Sequence, residues 1–141
     1  MKKYGIIAII AFVLLSAGII LLFMIPVSTT GSKVIDSDGV VKIMVQASHG
    51  SQSRTYTDPE KINQIIAYFD NLSLVEEADP EGVMGSGWQI TYTYDDGSTF
   101  QIIHAGNVCL HLLHPSGAKC YHMVYEEANA FARLIYDLPS D

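Results

Sequence analysis

The chain has 141 residues, 49% of them apolar, and its eight Lys and Arg against fifteen Asp and Glu give a formal net charge of −7. A polytopic transporter is excluded, because only one run approaches the roughly 20 consecutive apolar residues that a membrane span requires, and the remaining length fits one small domain. A nucleic-acid partner is not expected either, since phosphate backbones are bound by an excess of Lys and Arg.

The apolar run covers residues 5–27, and Ser16 is its only side chain that forms hydrogen bonds. As a helix this run would be roughly 34 Å long, enough to cross a hydrocarbon core of about 30 Å. It is too long for the apolar part of a cleaved signal peptide and is not followed by a suitable cleavage site. It is therefore predicted to be an uncleaved transmembrane helix that contacts the lipid bilayer.

Lys2 and Lys3 precede this run, and the positive-inside rule then places residues 1–4 in the cytoplasm. The sequence further predicts a short tether at 28–33 and an extracytoplasmic domain at 34–141. The predicted location is the plasma membrane, crossed once, with the N-terminus inside and the C-terminal domain outside.

The first part of the domain is predicted to form two strands and a helix. Residues 40–47 and 54–57 are rich in β-branched residues and are separated by a turn. The helix begins where Asp58 or the preceding Thr can cap it, has Pro59 in its first turn and extends to about residue 72. Its apolar residues, at the spacing of one helical face, are Ile62, Ile65, Ile66 and Phe69.

A hairpin follows an acidic, glycine-rich segment, 76–87, that is expected to be a surface loop. Strands at 88–94 and 98–104 are joined in this prediction by a three-residue turn that ends on a left-handed Gly97. A two-residue turn would mix polar and apolar residues on one face, so burial favours the longer turn. The opposed pairs are then Tyr92 with Phe100, Ile90 with Ile102 and Trp88 with His104.

Two more strands, at 108–113 and 119–124, and a helix complete the domain. Glu126 and Glu127 lie in the first turn of that helix, where acidic residues favour helix formation. Its apolar stripe consists of Val124, Ala128, Phe131, Ile135 and Leu138. The order of elements predicts an α+β domain, in which an antiparallel sheet of about five to six strands carries two helices on one face.

The last two strands carry the one pattern with a suggestive spacing, Cys109-x-His111 and Cys120-x-His122. Alternation along a strand puts each Cys on the same face as its His. A turn at residues 115–116 sets Cys109 opposite His122 and His111 opposite Cys120. All four side chains then share a face and offer two thiolates and two imidazoles, a donor set that suits tetrahedral zinc.

Two other states of the cysteines are left open. In a domain outside the membrane, the pair Cys109 and Cys120 is expected to oxidise to a disulfide. The other even-numbered turn, at residues 116–117, sets Cys109 opposite Val124. Neither of these two turns sets the two cysteines directly opposite, so a disulfide requires another turn or a bulge. They can also be buried thiols that act as small apolar groups. The sequence thus predicts no cofactor, with zinc as the alternative.

Candidate binding residues fall into two groups. Trp88 and His104 are opposed in the predicted hairpin, and both are expected to be core residues first and ligand contacts second. The 76–87 segment lacks the spacing of a calcium loop, so a solvated surface is favoured. As a binding surface, this segment would suit a basic partner. Its acidic candidates are Glu76, Glu77, Asp79 and Glu81. The strand at 40–47 is a further candidate, as an open edge to which a peptide adds.

Several segments together resemble small membrane-anchored proteins of Gram-positive bacteria. They are the Met-Lys-Lys start, the apolar anchor, the helix DPEKINQIIAYFDNL, the hairpin GWQITYTYDDGSTFQII and the closing segment KCYHMVYEEANAFARLIYDL. The resemblance covers the layout of most of the chain and brings no catalytic residues with it. It implies a bacterial host and a domain exposed outside the cytoplasmic membrane.

The motifs do not supply a nucleophile, a base and an orienting group together, so an enzyme is not expected. The predicted function is that of a single-pass membrane protein whose outer domain binds an envelope protein or a peptide without catalysis. The alternative is a metal-binding envelope protein that holds zinc through Cys109, His111, Cys120 and His122.

Overall fold

The structure is a computed structural model that describes residues 28–48, 52–77, 87–106, 108–115 and 117–141. The predicted transmembrane helix at 5–27 lies outside these residues, and so do Asp79 and Glu81 of the acidic segment. Across the described ranges, no helix is long and apolar enough to span a membrane.

The described residues form eight strands and two helices. The strands are β1 (Ser28–Thr30), β2 (Val40–Ala47), β3 (Ser53–Tyr56), β4 (Ser73–Glu77), β5 (Gly87–Tyr94), β6 (Thr99–Ala105), β7 (Cys109–His114) and β8 (Gly117–His122). The helices are α1 (Pro59–Asp70) and α2 (Tyr125–Asp137), and a 3-10 turn, Gly31–Lys33, follows β1.

One antiparallel sheet contains all these strands, in the order β1-β4-β8-β7-β6-β5-β2-β3. Phe69 of α1 and Phe131 of α2 contact each other, so the two helices share one core. Phe69 also contacts Tyr92 and Phe131 contacts Trp88, two residues that alternate onto the same face of β5. The predicted α+β domain with an antiparallel sheet and two helices is confirmed, but the described sheet has eight strands instead of five to six.

The two additional strands are β1 and β4. β4 pairs with β8 and buries Leu74, so Glu76 and Glu77, expected in a loop, lie in a strand. β1 pairs with β4, so part of the expected tether at 28–33 belongs to the sheet. The chain then passes α1 so closely that a Cβ on Gly31 would lie 1.7 Å from the carbonyl oxygen of Phe69, and only glycine fits there.

The hairpin of β5 and β6 has the predicted register. Tyr92 pairs with Phe100, Ile90 with Ile102 and Trp88 with His104. The turn between the strands is the three-residue one, and Gly97 has the expected left-handed conformation with φ of 83°. Burial of one face was therefore enough to select the register from the sequence.

Both helices bury the stripe that their sequences predict. Asp58 caps α1 by accepting a hydrogen bond from the backbone N–H of Glu60, and Pro59 occupies the first helical position. The buried residues are Ile62, Ile65 and Phe69 in α1, and Ala128, Phe131 and Ile135 in α2. Val124 differs from the prediction, since it is the N-cap of α2 and is 49% exposed.

The prediction of an open edge at residues 40–47 is wrong. β2 pairs with β3 on one side and with β5 on the other, so both rows of its backbone hydrogen bonds are occupied. The outer strand on this side is β3, and there the backbone N–H of Asp141 donates to the carbonyl oxygen of Thr55. The missed feature is the pairing of β2 with β5, which are far apart in sequence.

Candidate functional site

The Cys/His face, formed by Cys109, His111, Cys120 and His122, lies on the side of the sheet away from both helices. The turn between His114 and Gly117 has two residues, and it pairs Cys109 with His122 and His111 with Cys120. This is the register in which the sequence predicted that all four side chains share a face. The hairpin therefore brings together the predicted residues as two Cys–His pairs.

Each pair has a sulfur close to an imidazole nitrogen. Cys109 Sγ is 3.8 Å from Nδ1 of His122, and Cys120 Sγ is 3.9 Å from Nε2 of His111. Cys109 and Cys120 are only 0% and 1% exposed and form a small apolar cluster with Ala105. His111 and His122 are half-buried.

The disulfide, one of the three predicted states, is not formed between Cys109 and Cys120. The register explains this, because each cysteine is opposed by a histidine and the two cysteines are diagonal neighbours. Diagonal neighbours have Cα atoms about 7–8 Å apart, whereas disulfides usually need about 4.4–6.8 Å. Within the described residues, no group of three or more His, Cys, Asp or Glu side chains is arranged to hold a metal ion. Zinc binding stays a prediction.

His104 lies on the other face of the sheet, in the core, and is 3% exposed. Its ring stacks on Phe131 with centroids 5.1 Å apart, and Nε2 is 3.3 Å from the hydroxyl of Tyr68. That hydroxyl donates its single proton to the carbonyl oxygen of Glu127, so Nε2–H is the donor to Tyr68. Nδ1 is buried and has no hydrogen-bond partner among the described residues. Burial lowers the pKa of His104 to about 4.

The other described binding candidates lie in two separate parts of the sheet. Trp88 is half-buried, between Phe131 in the core and Tyr136 on the outer side of α2. Glu76 is exposed on β4 and forms an ion pair with Lys119. Trp88 and His104 are therefore neighbours, since they are opposed in the β5–β6 pair and both contact Phe131. Glu76 is separated from them by β7 and β8, and Asp79 and Glu81 lie outside the described residues.

Sequence reasoning missed a concave surface of about 480 Å³ at the end of β5, which we call the acidic groove. Its acidic residues are Asp36, Asp38, Asp95 and Asp96. The rest of its lining includes Val34, Tyr94, Phe100 and His114, and the rings of the last two are 5.0 Å apart. Four carboxylates and three rings therefore line one groove.

Two turns with similar sequences build this groove. Val40 pairs with Tyr94, so the turn before β2 and the turn after β5 meet at one end of the sheet. The backbone N–H of Asp95 donates to the carbonyl oxygen of Gly39, and the hydroxyl of Tyr94 donates to the carbonyl oxygen of Asp36 at 2.7 Å. The two turn sequences, DSDG and DDG, are visible in the chain. They indicate a common groove only when the pairing of β2 with β5 is known.

The charges of the groove are not balanced within it. The ion pairs found among the described residues are Lys61 with Asp141 and Lys119 with Glu76, so no carboxylate of the groove has a cationic partner there. Hydrogen bonds from Ser98 lower the pKa of Asp96, which keeps its carboxylate ionised. Partial burial, followed by the negative charges of Asp36 and Asp96, raises the pKa of Tyr94. The groove therefore favours positive charge.

Comparison of the chain with protein-family profiles, with curated proteins and with solved structures gave no match. Function is therefore inferred from the geometry and electrostatics of the domain itself.

Proposed function

We propose that this chain is a membrane-anchored binding protein whose domain holds a cationic group of a peptide or protein partner in the acidic groove and catalyses no reaction. The observation that carries the proposal is the set of four carboxylates without a cationic partner among the described residues, on a groove that also presents aromatic rings. The apolar run at 5–27 supports the anchor, and Lys2 and Lys3 support an N-terminus inside and a domain outside the plasma membrane.

The lining of the groove suits a Lys or Arg side chain. Its volume of about 480 Å³ is within the range of small ligand sites, roughly 300–1,000 Å³. The carboxylates attract the charged end of such a side chain, and the faces of Tyr94 and Phe100 offer cation–π contacts. A flat surface of scattered acids would provide the charge without the rings.

A second concave surface, next to the acidic groove, is expected to orient the bound partner on the domain. It has a volume of about 340 Å³ and shares Val34 and His114 with the groove, but its charged residues are Lys33 and Lys119. Because Lys119 is paired with Glu76, Lys33 supplies the positive charge of this second concavity, and an acidic and a basic end lie side by side. A peptide that carries both a basic and an acidic residue would complement both ends, since electrostatic complementarity sets orientation and specificity.

The non-catalytic part of the proposal is supported by the position of the histidines. His104 lies in the core on the helix-covered face and is not among the residues that line the groove. His114 lines the groove, and its ring contacts Phe100. The residues that line the groove therefore support binding through exposed charges and aromatic rings.

The test is binding of a fluorescent peptide that contains a Gly-flanked Arg, measured by anisotropy with the full-length chain and compared with the same peptide carrying Gln. The double variant Asp95→Asn with Asp96→Asn removes two groove charges and should weaken binding about tenfold, at roughly 0.5–1 kcal/mol for each charge. The matched control, Glu60→Gln with Glu126→Gln, removes the same charge from exposed helix ends and should leave binding within about twofold.

The dependence of binding on salt concentration is the second part of this test. Binding through exposed carboxylates should weaken steeply between low and high salt, because screening acts on solvent-exposed charges. Equal binding of the Arg and Gln peptides, or equal losses in the groove and control variants, would refute the groove as the binding site. A partner that requires the 76–87 segment instead would be recognised by reversing the charges of that segment.

A further inference from the structure

The Cys/His face is a second site, separate from the acidic groove and from the helix-covered core. None of its four side chains lines the groove, and all four project from the opposite face to His104. The face is built by one short hairpin, so the positions of its four donors depend on local strand pairing and on a single turn.

The distances within each pair match those between zinc ligands. Zn–S bonds of about 2.3 Å and Zn–N bonds of about 2.0–2.1 Å, at a tetrahedral angle, set sulfur and nitrogen about 3.6 Å apart. The two Cys–His pairs have separations of 3.8 and 3.9 Å. The hairpin therefore presents two edges of a tetrahedron at nearly the required length.

The two pairs are also close enough to be drawn together. Cys109 and Cys120 are diagonal neighbours in the register, with Cα atoms expected about 7–8 Å apart, and their side chains project to the same side. The four donors are not gathered around one point in the described structure, so binding of a single ion requires rotation about χ1 of the cysteines and about χ1 and χ2 of the histidines.

We propose that the Cys/His face binds one Zn²⁺ through the sulfurs of Cys109 and Cys120, Nε2 of His111 and Nδ1 of His122. Each thiol releases its proton to solvent as it binds, so two thiolates balance the charge of the ion. The small apolar cluster around the cysteines limits competition by water at the metal. Such a closed set of four protein ligands is typical of a structural zinc site, which would fix β7 against β8.

The alternative to zinc is a pair of S–H···N hydrogen bonds, which these separations also permit. The two states differ in stoichiometry and in thiol reactivity. A zinc ion protects both sulfurs from alkylation until a chelator removes it, whereas hydrogen-bonded thiols react at a rate that a chelator does not change.

The experiment is native mass spectrometry and metal analysis of the full-length chain, purified under reducing conditions with added Zn²⁺. The wild type should hold close to one zinc per chain, and Cys120→Ser and His111→Ala should hold close to none. The matched control is His114→Ala, which removes an imidazole from the same strand but from its other face and should keep the ion.

Cobalt provides a readout that does not depend on stability. Co²⁺ added to the wild type should give the visible bands of a tetrahedral site and a sulfur-to-cobalt charge-transfer band, and Cys120→Ser should weaken the latter. Zinc content that is unchanged in Cys120→Ser and His111→Ala would overturn the proposal. So would a folded wild type that takes up no zinc or cobalt, or one whose alkylation rate is unaffected by a chelator.

Discussion

His104 and His111 lie on neighbouring strands, yet they face opposite sides of the sheet. His104 is under both helices, stacked on Phe131, hydrogen-bonded to Tyr68 and 3% exposed. His111 is half-buried next to Cys120 on the side that the helices do not cover. The same residue type is thus a packed core group on one face and the half-buried partner of a cysteine on the other.

Helix packing makes the two faces of the sheet unequal. Phe69 and Phe131 bring the apolar stripes of both helices onto one face, which holds the larger of the two buried apolar clusters. Changes on that face should lower stability. Changes at the exposed residues of the acidic groove should alter binding at little cost in stability.

The largest expected difference in stability is between substitutions of two adjacent leucines of β7. Leu112 is fully buried under the helices, whereas Leu113 is half-buried on the Cys/His face. Leu112→Ala should lower the free energy of unfolding by about 2–5 kcal/mol, because it leaves a cavity in the core, and Leu113→Ala by about 1 kcal/mol or less. Urea denaturation of both variants measures the two costs, and similar costs would contradict this inequality of the two faces.

The burial of His104 predicts a loss of stability in acid. Its pKa is about 4 in the folded chain against an ordinary value of 6.5, so the unfolded chain binds the proton more tightly. The folded state is therefore most favoured above pH 6.5 and loses stability as pH falls from 6.5 toward 4. The total loss is on the order of 3 kcal/mol. Denaturation midpoints at a series of pH values follow this loss.

The matched variant for that experiment is His104→Phe, which keeps a ring against Phe131 and cannot take up a proton. Its stability should depend less steeply on pH than that of the wild type between pH 6.5 and 4, even though other groups titrate there. Parallel pH profiles for the two proteins would show that His104 is not the buried base described above.

Arg54 lies at the edge of the helix-covered face, and its substitution should have a smaller effect on stability. Its guanidinium donates hydrogen bonds to the carbonyl oxygens of Ile135 and Leu138, the latter at 2.9 Å, and so joins β3 to the end of α2. Arg54→Met keeps the aliphatic stem but removes both bonds, and should cost about 1–3 kcal/mol in unfolding free energy. Lys42→Met, an exposed cation on neighbouring β2, is the control and should cost little.

Substitution of Asp141 should have the smallest effect on stability. Its carboxylate accepts hydrogen bonds from the backbone of Thr57 and Asp58 and pairs with Lys61, and the hydrogen bond from Lys61 is the largest of the causes that lower its pKa. A lowered pKa means that the contribution is complete above the ordinary value of 3.8 and is lost as pH falls below it. Asp141→Asn should lower the melting temperature slightly at pH 7 and less in high salt. An increase would contradict the assigned contacts.

The sequence predicted well those parts of the fold that are set by neighbours along the chain. The β5–β6 register followed from one buried face and a glycine turn, and the register of β7 with β8 was one of two that an even turn allowed. The N-cap of α1 followed from its sequence, and the apolar stripes of both helices, apart from Val124, followed from spacing. These features depend on local periodicity and turn geometry.

Features that depend on distant pairing were missed. Without the pairing of β2 with β5, residues 40–47 were expected at an open edge, and the acidic groove could not be seen because its two aspartate turns are more than fifty residues apart in the chain. β1 and β4 are short strands whose partners come from elsewhere in the chain, and their sequences have little periodicity of their own. Long-range contacts, not propensity, determine these elements.

The most direct test of the central claim is to map binding on the folded chain by the shifts of backbone amide signals in NMR, during titration with the Arg peptide. If the acidic groove is the binding site, the largest shifts should occur in residues 36–38 and 94–98, while the amides around Leu112 and His104 on the helix-covered face should stay unchanged. Shifts confined to the β7–β8 hairpin, or uniform small shifts across the domain, would contradict a binding site in the groove.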